Sequence, residues 1–227
     1  MVKNLFVSAI CAGIVAGLTA ALLQFIFVIP VLLEGELFES GARLHFGSNG
    51  SPQSDSGSPG LGSDWGRHSM TVAFNIITYT GYGLLLAAMI SYAALKGCIT
   101  TSRQGVIWGL CGFIAVQLAP AIGLPPELPG TIAAEVGPRQ MWWLGTVMAT
   151  AAGIGVIAFG RSYLPIGGIA IMLVPHLVGA PHLDTFFGVA PPELAAEFAT
   201  LSLGTAAAGW AVLGYVVAQI LRQLKDS

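Results

Sequence analysis

The sequence predicts an all-α fold, a polytopic membrane helical bundle of about six transmembrane helices. Hydrophobic residues make up 55% of the chain and charged residues only 9%, a balance typical of integral membrane proteins. The chain also keeps six stretches free of charge. Each has about 20 residues or more, enough for a helix to cross roughly 30 Å of hydrocarbon. Helices are expected because the bilayer core has no water to satisfy exposed backbone groups.

The predicted spans follow one another with short connections, except after the first. The charge-free stretches are Asn4–Leu33, Ser69–Leu95, Gln104–Pro126, Gln140–Gly160, Ser162–Leu183 and Phe198–Leu221. The first is longer than the apolar part of a cleaved signal peptide. We therefore expect an uncleaved helix that ends near Pro30 and runs on, amphipathic, through Glu34–Phe38.

The fifth span is predicted to be short or broken. Its apolar part, Leu164–Gly179, contains two prolines and two interior glycines. A tilted span, a re-entrant hairpin and a broken helix all fit this pattern. If the segment did not cross, a five-span chain would place Arg222 and Lys225 outside, so six spans fit the charge bias better.

The charges predict that both termini lie in the cytoplasm. With six spans, the inner segments carry six Lys or Arg residues and the outer loops only Arg43, Arg67 and Arg139, as the positive-inside rule expects. All four histidines and ten of the eleven acidic residues then lie outside. Such a surface would attract cations, whereas the plainer interpretation is that loops simply hold the polar residues.

We expect one integral membrane domain over residues 1–227, with a flexible outer loop at 40–67 between spans one and two. The centre of that loop is almost entirely Gly, Ser, Pro, Asn and Asp, a composition that cannot bury enough apolar surface to fold. The motifs Gly13-x3-Gly17 and Gly105-x3-Gly109 predict close helix packing. The tetrapeptide Pro-Pro-Glu-Leu occurs at 125–128 and 191–194, which suggests a duplicated hairpin or coincidence.

The sequence gives no sign of an enzyme. No Gly-x4-Gly-Lys-Ser/Thr loop is present, and Gly153-Ile-Gly155 lies inside a charge-free span with no strand before it, so it does not predict a dinucleotide site. No buried acid, base and nucleophile stand together in the pattern. The predicted class is therefore a membrane transporter or a membrane scaffold.

The strongest site candidate is the segment from Pro175 to Asp184. Proline cannot donate the helical hydrogen bond to Ile171, and His176, His182 and Asp184 follow within nine residues. Neutral imidazole and carboxylate suit divalent first-row metals such as cobalt, nickel and zinc. Metal contact and a simple membrane-interface histidine are both open interpretations.

Two carboxylate positions could complete such a site. Glu34 begins an acidic run in which Glu36 and Glu39 would share one helix face, where Arg43 could answer them instead of a cation. Glu127 lies in Gly123-Leu-Pro-Pro-Glu-Leu-Pro-Gly130, a stiff turn that either holds a carboxylate at low entropy cost or simply ends a helix.

These motifs resemble the CbtA family, a proposed cobalt transporter subunit of bacteria. The resemblance lies in Pro30-x3-Glu34, in the segment 118–130, in Arg139-Gln140-x-Trp142-Trp143 and in 175–182. It implies uptake of cobalt across the bacterial inner membrane, linked to cobalamin synthesis. The His/Glu-rich run that members often carry in the first outer loop is replaced here by a Gly/Ser-rich segment.

The resemblance also implies partners and excludes others. It implies a small one-span CbtB-like subunit with a histidine-rich end, besides membrane lipid; a homo-oligomer is left open and nucleic acid is not expected. No permanently bound cofactor is expected, because Co²⁺ would be the cargo. Two alternatives stay open, a non-transporting accessory subunit and a transporter of nickel or zinc.

Overall fold

The fold is built from helices. The computed structural model describes residues 2–47, 49–51, 55–98, 100–185 and 187–226. The α-helices are α1 Val2–Leu23, α2 Ile29–Glu39, α3 Trp65–Leu95, α4 Ser102–Phe113, α5 Ala119–Ala121, α6 Val136–Phe159, α7 Leu164–Val178 and α8 Pro192–Asp226. Two π-helical turns, Gln24–Val28 and Ile114–Leu118, join α1 to α2 and α4 to α5.

Five helical stretches within the described residues are long and apolar enough to cross a membrane. They are Val2–Glu39, Trp65–Leu95, Ser102–Ala121, Val136–Phe159 and Pro192–Leu224. The fifth predicted segment forms α7, whose 15 residues span about 22 Å, less than the hydrocarbon core. The predicted all-helical membrane fold and its short fifth segment are confirmed, and the placement of the termini stays a prediction.

Each π-helical turn precedes a proline. Pro30 and Pro120 lie in the first turns of α2 and α5, and each lacks the N–H that a regular helix would direct at the carbonyl four residues earlier. The widened turns Gln24–Val28 and Ile114–Leu118 contain those carbonyls. A π turn relieves the clash with the proline ring, so the helix predicted to run on past Pro30 does so, to Glu39.

The described chain divides into two compact units. Unit 1 is Met1–Phe25, Ser63–Phe113 and Gly204–Ser227, and unit 2 is Ile26–Gly62 and Ile114–Leu203. Three helical stretches contribute residues to both units. The single domain predicted over 1–227, and the flexibility predicted for the loop at 40–67, stay predictions. Residues 48 and 52–54 of that loop lie outside the described residues.

In unit 1, glycines allow the helices to pack closely. A Cβ added at Gly13 would lie 2.5 Å from the Thr80 Cα, and one at Gly17 would lie 2.6 Å from the Ile76 Cα. These contacts join α1 to α3, and they confirm the first predicted small-residue motif. In the same pair the Asn75 amide donates to Gln24 Oε1 at 2.9 Å, so two of the few polar groups inside the spans satisfy each other.

The second small-residue motif joins α4 to α8. A Cβ at Gly105 would lie 2.6 Å from the Ala218 Cβ, and one at Gly109 would lie 3.2 Å from the Gly214 Cα. The Trp210 ring stacks on Tyr82 with centroids 4.5 Å apart. Close backbone approach and this aromatic stack therefore both contribute to the packing of unit 1.

Candidate functional site

The end of α7 presents His176 beside a loop. Gly179 stops the helix with φ +85°, a conformation that favours glycine, and its N–H donates to the Pro175 carbonyl at 3.0 Å. His176 is half-buried, whereas His182 and Asp184, in the segment that follows, are exposed. The local sequence thus fixes one imidazole on a helix end and leaves the other donors on the loop.

Trp142 of α6 holds this helix end. Its indole N–H donates to the Pro175 carbonyl at 3.0 Å, and its ring meets the His176 ring edge to face, with centroids 5.9 Å apart. The Pro175 carbonyl therefore accepts two hydrogen bonds, one from Gly179 and one from Trp142. Trp142 belongs to one of the segments that carry the family resemblance, and the structure gives it a tertiary contact.

Gly123 allows the loop after α5 to reach the same place. A Cβ added there would lie 2.6 Å from Trp142 Cη2 and 2.7 Å from the Ala180 Cβ, closer than ordinary carbon contacts. Only a residue without a side chain fits between them. Three of the segments that carry the family resemblance, 118–130, 139–143 and 175–182, thus meet at this point of unit 2.

A small apolar core anchors the same loop farther along. Leu128 is 3% exposed and packs with Val31, Phe38, Leu194 and Phe198. Leu128 and Leu194 end the two Pro-Pro-Glu-Leu copies, which therefore meet in one cluster although the first copy is a loop and the second opens α8. We call the ends of α2 and α7, the segments 122–135, 179–185 and 187–191, and the first turns of α6 and α8 the loop-end cluster.

Glu127 is paired. Its Oε2 accepts a hydrogen bond at 2.9 Å from the Arg139 guanidinium, which comes from the first turns of α6. Both side chains are about one-quarter to one-third exposed (26% for Arg139 and 32% for Glu127). An exposed ion pair of this kind adds little to the free energy of unfolding. Its main effect is therefore to orient the loop relative to α6.

Glu34 is buried and also paired. Its Oε1 accepts from the Arg43 guanidinium at 3.0 Å and from the Gly57 N–H at 2.8 Å. Arg43 was expected to answer the acidic run that Glu34 begins; the chain turns after Glu39 and brings Arg43 back to Glu34. Glu34 therefore ties the loop between spans one and two to α2.

The negative charge is concentrated in unit 2. Nine of the eleven acidic residues and three of the nine basic residues belong to it, whereas unit 1 has two acidic and six basic residues. Unit 2 thus has a formal charge of −6 and unit 1 of +4. A unit of this charge raises the local concentration of cations.

The five predicted ligands are distributed over this cluster. Across the described ranges, no group of three or more His, Cys, Asp or Glu side chains is close enough to hold a metal ion. Glu34 and Glu127 each contact an arginine, and the other three predicted ligands share the segment 176–184. Cation binding by His176, His182, Asp184, Glu127 and Glu34 stays a prediction.

Sequence reasoning missed three residues of this cluster. Trp142 and Gly123 are tertiary neighbours of the His176 segment, and Arg139 neutralises Glu127. All three lie in segments that carry the family resemblance, and this was the feature of the sequence that could have pointed to them. Their contacts join residues 12 to 57 positions apart along the chain, and no helical period predicts such pairs.

The comparisons with known proteins give one match. The model of the family described as "Probable cobalt transporter subunit (CbtA)" matches residues 2–222. No curated protein and no solved structure matches the chain. With several helices apolar enough to cross a membrane and a family match over nearly its whole length, this chain is a multi-pass membrane protein that belongs to the CbtA family of probable cobalt transporter subunits.

Proposed function

We propose that this chain is the membrane subunit of a divalent-cation uptake system of the bacterial inner membrane, with Co²⁺ as cargo and cobalamin synthesis as its destination. The observation that carries the proposal is the loop-end cluster of unit 2, the unit that contains nine of the eleven acidic residues, where a helix end presents His176 against Trp142. The family description supports transport of cobalt. In this role the chain moves an ion and catalyses no reaction.

Cation capture begins at the imidazoles. His176 and His182 supply nitrogen ligands and Asp184 a carboxylate, donor types that suit divalent first-row metals. The Trp142 ring packs edge to face against the His176 ring, and this contact would limit the freedom that the imidazole loses when a cation binds. Glu34 and Glu127 attract the ion through their charge, and either becomes a ligand by exchanging its arginine for the cation.

Three donors on one segment are fewer than the roughly four ligands that a closed site for a divalent first-row metal uses. The family name describes a subunit, and a partner in the complex can supply the missing donors. We assign that part to a small one-span subunit of the CbtB type, whose histidine-rich end would face the loop-end cluster. The chain and its partner then share the cation, and lipid surrounds both.

A second function fits one observation. Among the described residues no three-donor cluster exists, and the in-span amides of Gln24 and Asn75 satisfy each other. A chain whose described residues form no complete site, and whose in-span amides Gln24 and Asn75 are bonded to each other, would serve as an accessory subunit that places a partner's histidines. Nickel and zinc, which accept the same ligands, are the alternative cargoes.

Cobalt accumulation in cells separates these functions. Cells without their own cobalt importers would express the chain alone, the chain with its partner, and the chain with His176 and His182 both replaced by alanine. The matched control replaces His45 and His68, whose rings pack against Phe46 and against Phe25 and Trp65. If this chain transports Co²⁺, cobalt accumulation should fall in the His176 and His182 double variant but not in the His45 and His68 double variant, at equal protein levels. Equal accumulation by both double variants would favour the accessory role.

A further inference from the structure

Thr150 is a fully buried threonine whose hydroxyl oxygen has no hydrogen-bond partner. It is 0% exposed and is the buried side-chain polar atom without a partner among the described residues. A buried polar group left unsatisfied costs stability and calls for an explanation. Thr146, one turn earlier on α6 and equally buried, shows the ordinary solution, because its hydroxyl donates to the Trp142 carbonyl at 2.9 Å.

The contacts of α6 show which way Thr150 faces. Trp142 bonds to the Pro175 carbonyl of α7, and a Cβ at Gly153 would lie 2.6 Å from the Gly168 carbonyl oxygen of α7. Positions 142, 146, 150 and 153 follow the helical spacing of one stripe. Thr150 therefore lies on the α7-facing side of α6, between these two contacts and about 12 Å along the helix from Trp142.

The facing part of α7 contains a second unusual oxygen. Pro175 has no N–H, so the Ile171 carbonyl lacks its usual helical donor. Ile171 lies between Gly168 and Pro175, which contact α6 at Gly153 and Trp142, and the next residue, Met172, also lies against Gly153. The Thr150 hydroxyl, which has no partner, and the Ile171 carbonyl, which lacks its helical donor, thus belong to the same stretch of the α6–α7 pair. On α7 this stretch comes before His176 in the chain.

We propose that this stretch is a transit site for a divalent cation, with the Thr150 hydroxyl as a ligand and the Ile171 carbonyl as a second one. The inference rests on the proposed function, because the cation would arrive from His176. Neutral oxygens bind such an ion more weakly than imidazole and carboxylate do. Conduction requires binding sites weak enough for the ion to leave them. Such a site would also provide a step for the ion within spans that contain no carboxylate.

The test compares Thr150→Val with Thr150→Ser and Thr146→Val. Valine has the shape of threonine without the hydroxyl, so Thr150→Val should melt no lower than the parent protein, since no hydrogen bond is lost. Its Co²⁺ affinity at the loop-end cluster, measured on purified protein, should equal that of the parent. Its Co²⁺ uptake in cells, with the partner present, should fall about tenfold, equivalent to 1.4 kcal/mol of barrier.

The controls decide what a loss of uptake means. Thr150→Ser keeps the hydroxyl and should keep uptake, and Thr146→Val removes a hydroxyl already bonded within α6 and should stay within about twofold of the parent. Parental uptake by Thr150→Val, equal loss in Thr150→Ser, or a melting temperature lowered as far as in Thr146→Val would each overturn the transit site. A parent protein that binds no Co²⁺ would instead overturn the proposed function.

Discussion

Replacement of Gly123 by alanine tests the contact that brings the loop-end cluster together. The new methyl would lie 2.6 Å from Trp142 Cη2 and 2.7 Å from the Ala180 Cβ, whereas carbon atoms rest at about 3.5–4.0 Å. One neighbour must therefore move by about 1 Å. Displacing the indole would also break its hydrogen bond to the Pro175 carbonyl, which is 3.0 Å long.

The expected loss for Gly123→Ala is about 1–3 kcal/mol of unfolding free energy, the range found when a methyl is forced into a packed site. Titration of the purified protein with SDS in mixed micelles measures this quantity. The matched control is Gly145→Ala, in the middle of α6 with nothing within 4 Å of the added Cβ, which should be neutral or stabilising by up to about 1 kcal/mol. If Gly123→Ala behaved like the control, the described contact between Gly123, Trp142 and Ala180 would be wrong.

Glu34→Gln should speed trypsin cleavage after Arg43 about fivefold, the equivalent of about 1 kcal/mol of local stability, because the carboxylate accepts hydrogen bonds from Arg43 and Gly57; an unchanged rate would show that Glu34 does not hold the loop. Gly109→Val should lower the free energy of unfolding by about 2–3 kcal/mol, since a side chain there meets the Trp210 and Gly214 backbone, while Gly81→Ala, with open space around it, should not; equal effects would refute the close packing of α4 on α8. A reporter fused after the last residue should be active in the cytoplasm and one inserted at Gly57 on the opposite side, and an outside signal at the C-terminus would end the six-span topology.

Most of the helical pattern was predictable because it follows from charge and length. Unbroken apolar runs fix where helices cross, and Gly13 and Gly109 stand where small residues repeat at helical spacing, which predicts close packing. The short α7 was predictable from Pro165 and Pro175. The π turns were not, because a proline shows only that a carbonyl must lose its donor, and a kink, a break or a wider turn can all accommodate that loss.

The candidate site was predictable only in its local part. His176, His182 and Asp184 are near one another in sequence, so the pattern finds them. Arg43 was predicted for the acidic run but not for Glu34 in particular, and the partner of Glu127 was not predicted, since these pairs depend on where the chain returns after Ser40 and on how α6 begins after Glu135. Trp142 shows the same limit, because a tryptophan near the start of a predicted span gives no sign that its N–H will bond to a carbonyl 33 residues away.

Equilibrium binding of Co²⁺ to the purified chain tests most directly whether the loop-end cluster captures the cargo. The parent protein should bind, and the double replacement of His176 and His182 by alanine should weaken binding tenfold or more, about 1.4 kcal/mol. The His45 and His68 double variant should bind like the parent. Binding should also weaken on acidification, because a ligand imidazole must be neutral. Undiminished binding by the His176 and His182 variant, or no binding by the parent, would contradict the account.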